Sequence, residues 1–360
     1  MSNSPDASNR PLHLAFIGAG GVLSHQMRHL KPVPNYAAVA VADVSEGALK
    51  WAKETFGIPN TFTDYRRMLQ EQEIDAVSVC TPNSLHAEHS IAALEAGKHV
   101  LVEKPMAMNA ADAKRMIDAA NASAKQLVVG FQHRFDPRSR MVRRQVESGA
   151  FGKILYVRAQ ALRRRGIPSW GVFGRKDLQG GGPLIDIGVH VLETAHFLIG
   201  SPRPLTATAN TFCYIGDKPC AAEAPWGPWD HTTYTVEDLA VGMVRFDGGT
   251  MMTIETSFAA HVEKDVWSIQ VMGEKGGAMV WGPEYLEEAR IYTDHGGYQM
   301  TMTPAHVGSM HPFEYKMRHF VEIARGVRYN EVPPEHGLMV QQIVDAVYES
   351  AGKGREVSIS

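Results

Sequence analysis

The chain has 360 residues, of which 44% are hydrophobic and 21% charged, the balance of an ordinary globular protein. Its formal net charge of −3 gives no sign of a nucleic-acid partner, and no segment approaches the roughly 18 uncharged apolar residues of a membrane span. The length predicts two domains, because single cores rarely grow past about 250–300 residues.

The N-terminus and the cysteines suggest a cellular compartment. Residues 1–11 are rich in Ser, Asn, Asp and Pro and lack the apolar core of a signal peptide, so we expect a flexible tail. The three cysteines, Cys80, Cys213 and Cys220, form no CxxC pair and are odd in number. A disulfide framework is therefore not expected, which favours a reducing cytoplasm.

The first apolar run spans residues 12–17, and a glycine-rich turn follows it. Gly18 and Gly20 precede a predicted helix at 22–30, and Leu23 stands where the usual dinucleotide motif has its third glycine. Gly18 permits the tight turn, and Gly20 lets a pyrophosphate approach the helix N-terminus. This strand, turn and helix predict the first unit of a dinucleotide-binding fold.

An acidic residue stands at the end of the second predicted strand. Asp43 lies 20 residues after Leu23, where a carboxylate would meet the hydroxyls of an adenosine ribose and repel a 2′-phosphate. Because Val44 and Ser45 follow instead of an arginine, we expect NAD to be preferred over NADP. In the alternative, Asp43 only caps the helix predicted to begin near Glu46.

Apolar strands and helices continue to alternate through the first third of the chain. We predict strands at 74–79, 99–102 and 126–129 and helices at 84–96 and 110–122. This alternation indicates a parallel sheet covered on both faces, a Rossmann domain at 12–131. Ligands of such sheets bind beyond the carboxyl ends of the strands. Residues at or just past those ends are expected to contact one cofactor: Gly18, Asp43, Thr81, Glu103 and Gln132.

The pattern changes after residue 131. We predict strands at 152–162, 205–214, 239–246, 250–257 and 267–272, and helices at 183–199, 312–325 and 337–351. Turn signals at 247–249 and 274–277 favour a large, mainly antiparallel sheet with helices on one face, an α+β domain at 132–360. The open face of that sheet needs a cover, so we expect a homodimer or homotetramer.

Two polar side chains lie in the first half of the largely apolar helix predicted at 183–199. Asp186 and His190 are four residues apart and share one face, after three glycines that allow a close approach. Lys104 follows another apolar segment. Since buried polar groups are costly unless paired or used, these three predict a proton-transfer site. In the alternative, His190 is a satisfied core residue. The spacing to Glu193 would permit a metal, but no second cluster supplies ligands, so no metal is expected.

Loops at 163–182 and 217–230 are rich in Pro and Gly and are predicted to rim a substrate pocket. Their tryptophans either stack on the apolar faces of sugars or act as packing anchors: Trp170, Trp226 and Trp229. The run Arg163-Arg164-Arg165 is interpreted as a strand end or a contact to a sugar or small anion.

Taken together, these motifs resemble the Gfo/Idh/MocA family of sugar and inositol oxidoreductases. The matching segments extend over essentially the whole chain: Gly18-Ala19-Gly20-Gly21, Asp43, Thr81-Pro82-Asn83-Ser84-Leu85-His86, Glu103-Lys104-Pro105, Gly130-Phe131-Gln132-His133-Arg134-Phe135, Asp186-Ile187-Gly188-Val189-His190, and the tail around Gly337 and Ala346-Val347-Tyr348-Glu349-Ser350-Ala351. The Glu-Lys-Pro and Asp-x-Gly-x-His motifs in combination are more specific than the glycine turn. Leu23 replaces a glycine, and Gln132-His133 stands where many relatives have asparagine and arginine.

The resemblance implies a nicotinamide cofactor and a sugar, glycoside or polyol substrate. The implied catalytic residues are Lys104, Asp186 and His190. Cofactor contacts are expected at Gly18, Gly20, Gly21, Val22, Leu23, Asp43, Val44, Thr81, Pro82, Asn83, His86, Glu103, Lys104 and Gln132. Substrate contacts are expected at Lys104, Arg134, Arg164, Trp170, Asp186 and His190.

The expected reaction is the reversible oxidation of a secondary hydroxyl, at C3 of a glucoside or on an inositol, by hydride transfer to NAD. His190 takes the proton while Lys104 stabilises the alkoxide, or the two exchange roles, and Asp186 holds the substrate or His190. Two rival functions stay open. One is a redox-neutral enzyme with tightly bound NAD, a glycosidase or a sugar-to-sugar oxidoreductase, and the other is a non-catalytic sugar sensor.

Overall fold

The computed structural model describes residues 10–282 and 288–360, and these form two compact units. The first unit contains the described residues up to Ala107, together with Ala111–Gly130 and Phe313–Glu335. The second unit contains Met108–Ala110, Phe131–Pro312 and His336–Ser360. Of the predicted N-terminal tail, residues 1–9 lie outside the described residues.

A parallel sheet forms the centre of the first unit. Its strands are β1 (Leu12–Ile17), β2 (Tyr36–Ala42), β3 (Asn60–Phe62), β4 (Ala76–Val79), β5 (His99–Val102) and β6 (Leu127–Val129). They are ordered β3-β2-β1-β4-β5-β6, and every neighbouring pair is parallel. All four residues of β4 are buried, as predicted for strands that carry helices on both faces.

The α-helices lie between and after the strands. They are α1 (Gly21–Leu30), α2 (Glu46–Phe56), α3 (Tyr65–Glu71), α4 (His86–Glu95), α5 (Ala110–Ser123), α6 (Pro137–Glu147), α7 (Lys176–Gln179), α8 (Val189–Leu198), α9 (Pro312–Ala324) and α10 (Pro334–Lys353). The predicted helix at 84–96 begins as a 3-10 turn, Asn83–Leu85, before α4. The predicted helix at 183–199 begins as a π-helical turn, Leu184–Gly188, before α8.

A mainly antiparallel sheet forms the centre of the second unit. Its strands are β7 (Ile154–Leu162), β8 (Pro204–Phe212), β9 (Leu239–Phe246), β10 (Met251–Ser257), β11 (Val266–Gly273), β12 (Gly276–Trp281), β13 (Glu288–His295), β14 (Tyr298–Met302) and β15 (Val357–Ser358). The order is β14-β13-β12-β11-β7-β10-β9-β8-β15. Of these pairs, β7 with β10 is parallel and the others are antiparallel. The predicted fold class is therefore confirmed.

One face of this second sheet carries exposed apolar side chains. Burial alternates along β9, which has every second residue buried. The residues on this exposed face include large apolar ones that are 37–43% exposed: Phe212, Val241, Met243 and Met272. This pattern matches the prediction that helices cover one face and leave the other open.

The late helix α9 differs from the sequence-based expectation. It was expected to pack in the second domain, but Phe313–Glu335 belongs to the first unit. There Lys316 Nζ donates to Glu103 Oε1 at 2.5 Å, and Arg318 donates to the Pro32 carbonyl at 3.2 Å. The first unit is thus assembled from segments that are far apart in the chain.

Candidate active site

The glycine turn after β1 leaves room for a ligand at the start of α1. Gly18 has a φ of +100°, and a Cβ there would lie 2.7 Å from the Cys80 carbonyl oxygen, so this position requires glycine. At Gly20 and Gly21, an added Cβ would meet no described atom within 4 Å. Gly20 precedes α1 and has no side-chain cap within the described chain. The start of α1 therefore borders open space, which leaves room for an anionic group near its first N–H groups.

Asp43 connects the turns that follow β1 and β2. Its Oδ2 accepts a hydrogen bond from the Ala19 N–H at 2.7 Å, and its Oδ1 accepts one from the Ser45 N–H at 2.8 Å. The helix α2 is capped instead by Ser45, whose Oγ accepts from the Ala48 N–H at 3.3 Å. The alternative in which Asp43 only caps that helix is therefore not supported.

A cavity of 610 Å³ lies at this carboxyl edge of the parallel sheet. The predicted cofactor residues that line it are Gly18, Gly20, Asp43, Val44, Thr81 and Pro82. Lining residues that were not predicted include Thr63, Asp64, Tyr65, Arg66, Leu85 and His89. Most of these belong to or flank α3, a short helix with a weak sequence signal. Leu23, by contrast, is fully buried in the core.

His86 connects the loop after β4 to the loop after β5. Its Nδ1 lies 2.7 Å from the Pro105 carbonyl oxygen, and its Nε2 lies 2.9 Å from the Thr81 carbonyl oxygen. Burial lowers the pKa of this imidazole. The bond between Lys104 and Pro105 is cis. Both ring nitrogens of His86 thus contact backbone carbonyls, one of them in the Lys104–Pro105 loop, and its expected cofactor contact stays a prediction.

Glu103 belongs to a buried polar network. Its Oε1 accepts from Gln26 Nε2 at 2.6 Å and from Lys316 Nζ at 2.5 Å, and Ser78 Oγ donates to Gln26 at 2.7 Å. Burial opposes ionisation of the carboxyl group, but Lys316 and Gln26 outweigh it and lower the pKa of Glu103. These hydrogen bonds hold the side chain of Glu103, the residue before Lys104, in one position. Lys104 itself is half-buried, directly after the end of β5.

In the second unit, Asp186 and His190 are the half-buried residues of the segment 181–190, and the other eight are buried. Asp186 lies in the π-helical turn and His190 in the first turn of α8. Such turns are frequent at functional sites. The alternative in which His190 is a fully buried core residue is therefore not supported.

The glycines before this helix make room for a buried carboxylate and a phenol. Glu237 accepts from the Gly182 N–H at 2.9 Å, from the Leu184 N–H at 3.2 Å and from Tyr348 Oη at 2.8 Å. A Cβ at Gly181 would lie 2.0 Å from Tyr348 Oη. Burial raises the pKa of Glu237, against its hydrogen bonds. Sequence reasoning missed both partners, because they follow Asp186 by many residues.

The imidazole of His190 has aromatic neighbours within the second unit. Its ring centroid lies 5.0 Å from that of His133, edge to face, and 6.1 Å from that of Trp267. His133 is one of the departures from the family pattern, and it is buried. Gln132 is buried as well, and its Oε1 has no hydrogen-bond partner within the described part of the chain.

Arg134 has a different environment from the one expected of a substrate-binding residue. Its side chain is 2% exposed and forms an ion pair with Glu193. Its Nη1 lies 3.0 Å from His336 Nδ1, and its Cζ lies 5.1 Å from the Phe197 ring centroid. These contacts give Arg134 a packing role, and they engage the Glu193 carboxylate that the spacing offered to a metal. No group of three or more potential metal ligands occurs among residues 10–282 and 288–360.

The arginine run after β7 is divided between two environments. Arg164, the predicted substrate residue, donates to the Glu263 carbonyl at 2.8 Å, and its N–H donates to Asp265 at 2.7 Å. Arg163 is the arginine that interacts electrostatically with Asp186. Its Cζ lies 4.5 Å from the Trp226 ring centroid. Of the two arginines, Arg163 is therefore the one shown to interact with Asp186, and a substrate contact at Arg164 stays a prediction.

Comparison with known proteins identifies the family. The model described as "Oxidoreductase family, NAD-binding Rossmann fold" matches residues 12–131, and the "GFO/IDH/MocA C-terminal domain" matches residues 139–279. The chain belongs to the Gfo/Idh/MocA oxidoreductase family, as its motifs predicted.

Individual relatives resemble the chain over nearly its full length. It is 37% identical to D-glucoside 3-dehydrogenase of Escherichia coli K12 over 98% of this chain and 99% of the relative. Aldose-aldose oxidoreductase of Caulobacter crescentus, solved with glycerol, superposes with a TM-score of 0.82 at 26% identity, covering 97% of this chain and 100% of that one. Levoglucosan dehydrogenase, solved with NADH, superposes with a TM-score of 0.83 at 25% identity, over 98% and 100%.

The helices give no sign of a membrane span. Within the described ranges, none of them is both long enough and apolar enough to cross a bilayer.

Proposed function

We propose that this protein oxidises a secondary hydroxyl of a sugar or glycoside, with NAD as the acceptor. The observation that carries the proposal is the 37% identity to a D-glucoside 3-dehydrogenase along nearly the whole of both chains. The C3 hydroxyl of a glucoside is therefore the preferred position, and an inositol is the second choice. The half-buried Asp186 and His190 offer the acid–base groups that such a reaction needs.

The residues of the first unit fit a dinucleotide. Gly18 and Gly20 would admit the pyrophosphate at the start of α1, and Asp43 would accept hydrogen bonds from the adenosine ribose. When bound, the nicotinamide supplies the acceptor for the hydride. Asp43 disfavours a 2′-phosphate, and Arg66, which lines the cavity, is paired with Glu88 at 2.7 Å. These features support a preference for NAD over NADP.

Three residues of this chain would handle the substrate and its proton. Lys104 carries a positive charge that stabilises a developing alkoxide. His190 accepts the hydroxyl proton, and its ring is steadied by His133 and Trp267. Asp186 holds a neighbouring hydroxyl or orients His190. In reverse, the same groups return the proton, so the reaction is reversible.

The test is NADH formation by the purified protein with a panel of glucosides, aldoses and inositols, each assayed with NAD and with NADP. Lys104→Met should lower kcat by at least 100-fold and leave the Kd for NADH within about 3-fold, because the lysine acts on the alkoxide. Near-normal turnover by that variant would contradict the role of Lys104. A higher kcat/KM with NADP than with NAD would contradict the cofactor preference.

A second candidate is a sugar-to-sugar oxidoreductase that keeps its cofactor bound. It is favoured by the structural likeness to aldose-aldose oxidoreductase, with a TM-score of 0.82. Such an enzyme would turn over sugar pairs without net NADH in solution. Absorbance of NADH that stays constant while a second sugar is reduced would support this candidate.

We also propose that the open face of the second sheet is covered by another copy of the chain. The exposed apolar side chains on β8, β9 and β11 would then be buried in a homodimer or homotetramer. The molar mass in solution, measured by light scattering, tests this. A monomer at micromolar concentration would refute it.

A further inference from the structure

Two large aromatic side chains in the second unit stay exposed to solvent. Trp170 is 55% exposed and Trp226 is 38% exposed, and their ring centroids lie 5.3 Å apart. Trp229, from the same loop as Trp226, is only 7% exposed, and its Nε1 donates to the Gly216 carbonyl at 2.7 Å. Packing therefore explains Trp229 but leaves the Trp170 and Trp226 pair available to a ligand.

Arg163 interacts with both the tryptophan pair and Asp186. Its guanidinium lies over the Trp226 ring, and its Nη1 donates to the Gly166 carbonyl at 3.1 Å. Burial lowers the pKa of Arg163, and the negative charge of Asp186 acts in the opposite direction. The arginine thus lies within electrostatic reach of Asp186 and also over the Trp226 ring.

The loops that carry the tryptophans are held together by specific contacts. Ser169 Oγ donates to the Trp226 carbonyl, which ties the two loops next to the indoles. A Cβ at Gly166 would lie 2.6 Å from Arg163 Cδ, so this glycine lets the chain close around the arginine. These contacts therefore hold the two loops so that Trp170 and Trp226 lie side by side.

We propose that Trp170, Trp226 and Arg163 form a subsite for the aglycone of a glycoside substrate. The inference rests on the proposed function, in which the sugar ring presents its hydroxyl to Asp186 and His190. Because Arg163 interacts with Asp186 and also lies over the Trp226 ring, a group attached to the sugar would come within reach of the tryptophans. Their exposed faces suit a planar apolar group, which stacks on indole. The preferred substrates are therefore aryl glucosides.

The experiment compares kcat/KM for phenyl β-glucoside with kcat/KM for methyl β-glucoside. In Trp226→Ala and Trp170→Ala, this ratio should fall about 3- to 10-fold, since the stacking contact is lost while the sugar contacts stay. Trp226→Phe keeps an aromatic face and should retain most of the ratio. Trp51→Ala is a matched control, because Trp51 is also 38% exposed but lies on α2 of the first unit. Its ratio should not change.

The outcomes separate this inference from the proposed function. If the wild-type protein oxidises both glucosides and the alanine variants keep its ratio, the aglycone subsite is refuted while the function stands. An equal loss for both glucosides, in the alanine variants and in Trp226→Phe, would also refute it, because it indicates a structural role. If no sugar yields NADH or a reduced second sugar, the proposed function fails first. Quenching of indole fluorescence by phenyl β-glucoside, lost in Trp226→Ala, would support the subsite without turnover.

Discussion

Lys316→Met tests whether the buried ion pair with Glu103 holds the first unit together. The Lys316 side chain is 0% exposed and that of Glu103 is 10% exposed, with Nζ and Oε1 2.5 Å apart. Methionine keeps the length and apolar volume of the side chain but removes its charge. Glu103 then keeps Gln26 as a donor and loses its counter-ion.

The expected cost follows from the burial of the carboxylate. Removing one partner of a buried pair leaves an uncompensated charge and destabilises by about 3–5 kcal/mol. The same change in an exposed pair within one helix costs about 0.3–0.5 kcal/mol. Lys353→Met is a matched control, since Lys353 Nζ also lies 2.5 Å from Glu349 Oε1, but the two side chains are 49% and 48% exposed. Because both ion pairs have the same N–O distance, a difference between the two losses of unfolding free energy reports the effect of burial.

The pH dependence of the deficit gives a second, independent signature. In the wild-type protein the pKa of Glu103 is below its ordinary 4.5, so the stabilisation is present above that pH and is lost as the pH falls. In Lys316→Met, burial dominates and the pKa should rise, so the buried carboxylate takes up a proton more readily. The deficit relative to wild type should therefore be largest at pH 7 and smaller at pH 4.

The assay is urea unfolding of both variants at pH 7 and pH 4, followed by circular dichroism. The double variant Glu103→Gln with Lys316→Met should recover part of the loss, because no unpaired charge is left. A Lys316→Met deficit under 1 kcal/mol at pH 7, or one that is equal at the two pH values, would refute the reasoning.

Two further predictions concern the second unit. Gly181→Ala should lower the free energy of unfolding by at least 1 kcal/mol and lower kcat, because its Cβ would lie 2.0 Å from the Tyr348 hydroxyl, which is hydrogen-bonded to Glu237. The control is Gly352→Ala on α10, where a Cβ meets no described atom within 4 Å. This control should be neutral or slightly stabilising. Equal effects of the two alanines in urea unfolding would contradict the clash. Asp136 precedes α6, and burial raises its pKa to about 6. A raised pKa of Asp136 stabilises the fold at low pH, and that contribution is lost as the pH rises from about 4 through about 6. Asp136→Asn should therefore make the free energy of unfolding change less with pH between these values. Parallel pH profiles for the wild type and the variant would show that this carboxyl group does not cause the change.

The sequence by itself determined the alternation of the longer strands and helices in the first domain and the residues that define the family. The strand predicted at 99–102 coincides with β5, and the helix predicted at 110–122 differs from α5 by one residue. Apolar runs, glycine turns and helix-ending residues are local signals, because they act through neighbours in the chain. The glycine turn, Asp43 and the Asp-x-Gly-x-His motif are also local signals that can be identified from the sequence.

Local pattern did not identify the short elements around the cavity. The strand β3 and the helix α3, which were not predicted, have 3 and 7 residues, too few for a clear period. The first two residues of α3, Tyr65 and Arg66, nevertheless line the cavity. Their importance comes from where the sheet places them, at the carboxyl edge beside β2.

Only the tertiary structure decided which distant side chains meet. Lys316 reaches Glu103 across 213 residues, and Tyr348 reaches Glu237 across 111. Trp226 and Trp229 share one loop and one residue type, yet one is 38% exposed and the other 7%. Chain closure and packing choose such partners, because burial depends on which segments the fold brings together and not on the residues next to each tryptophan.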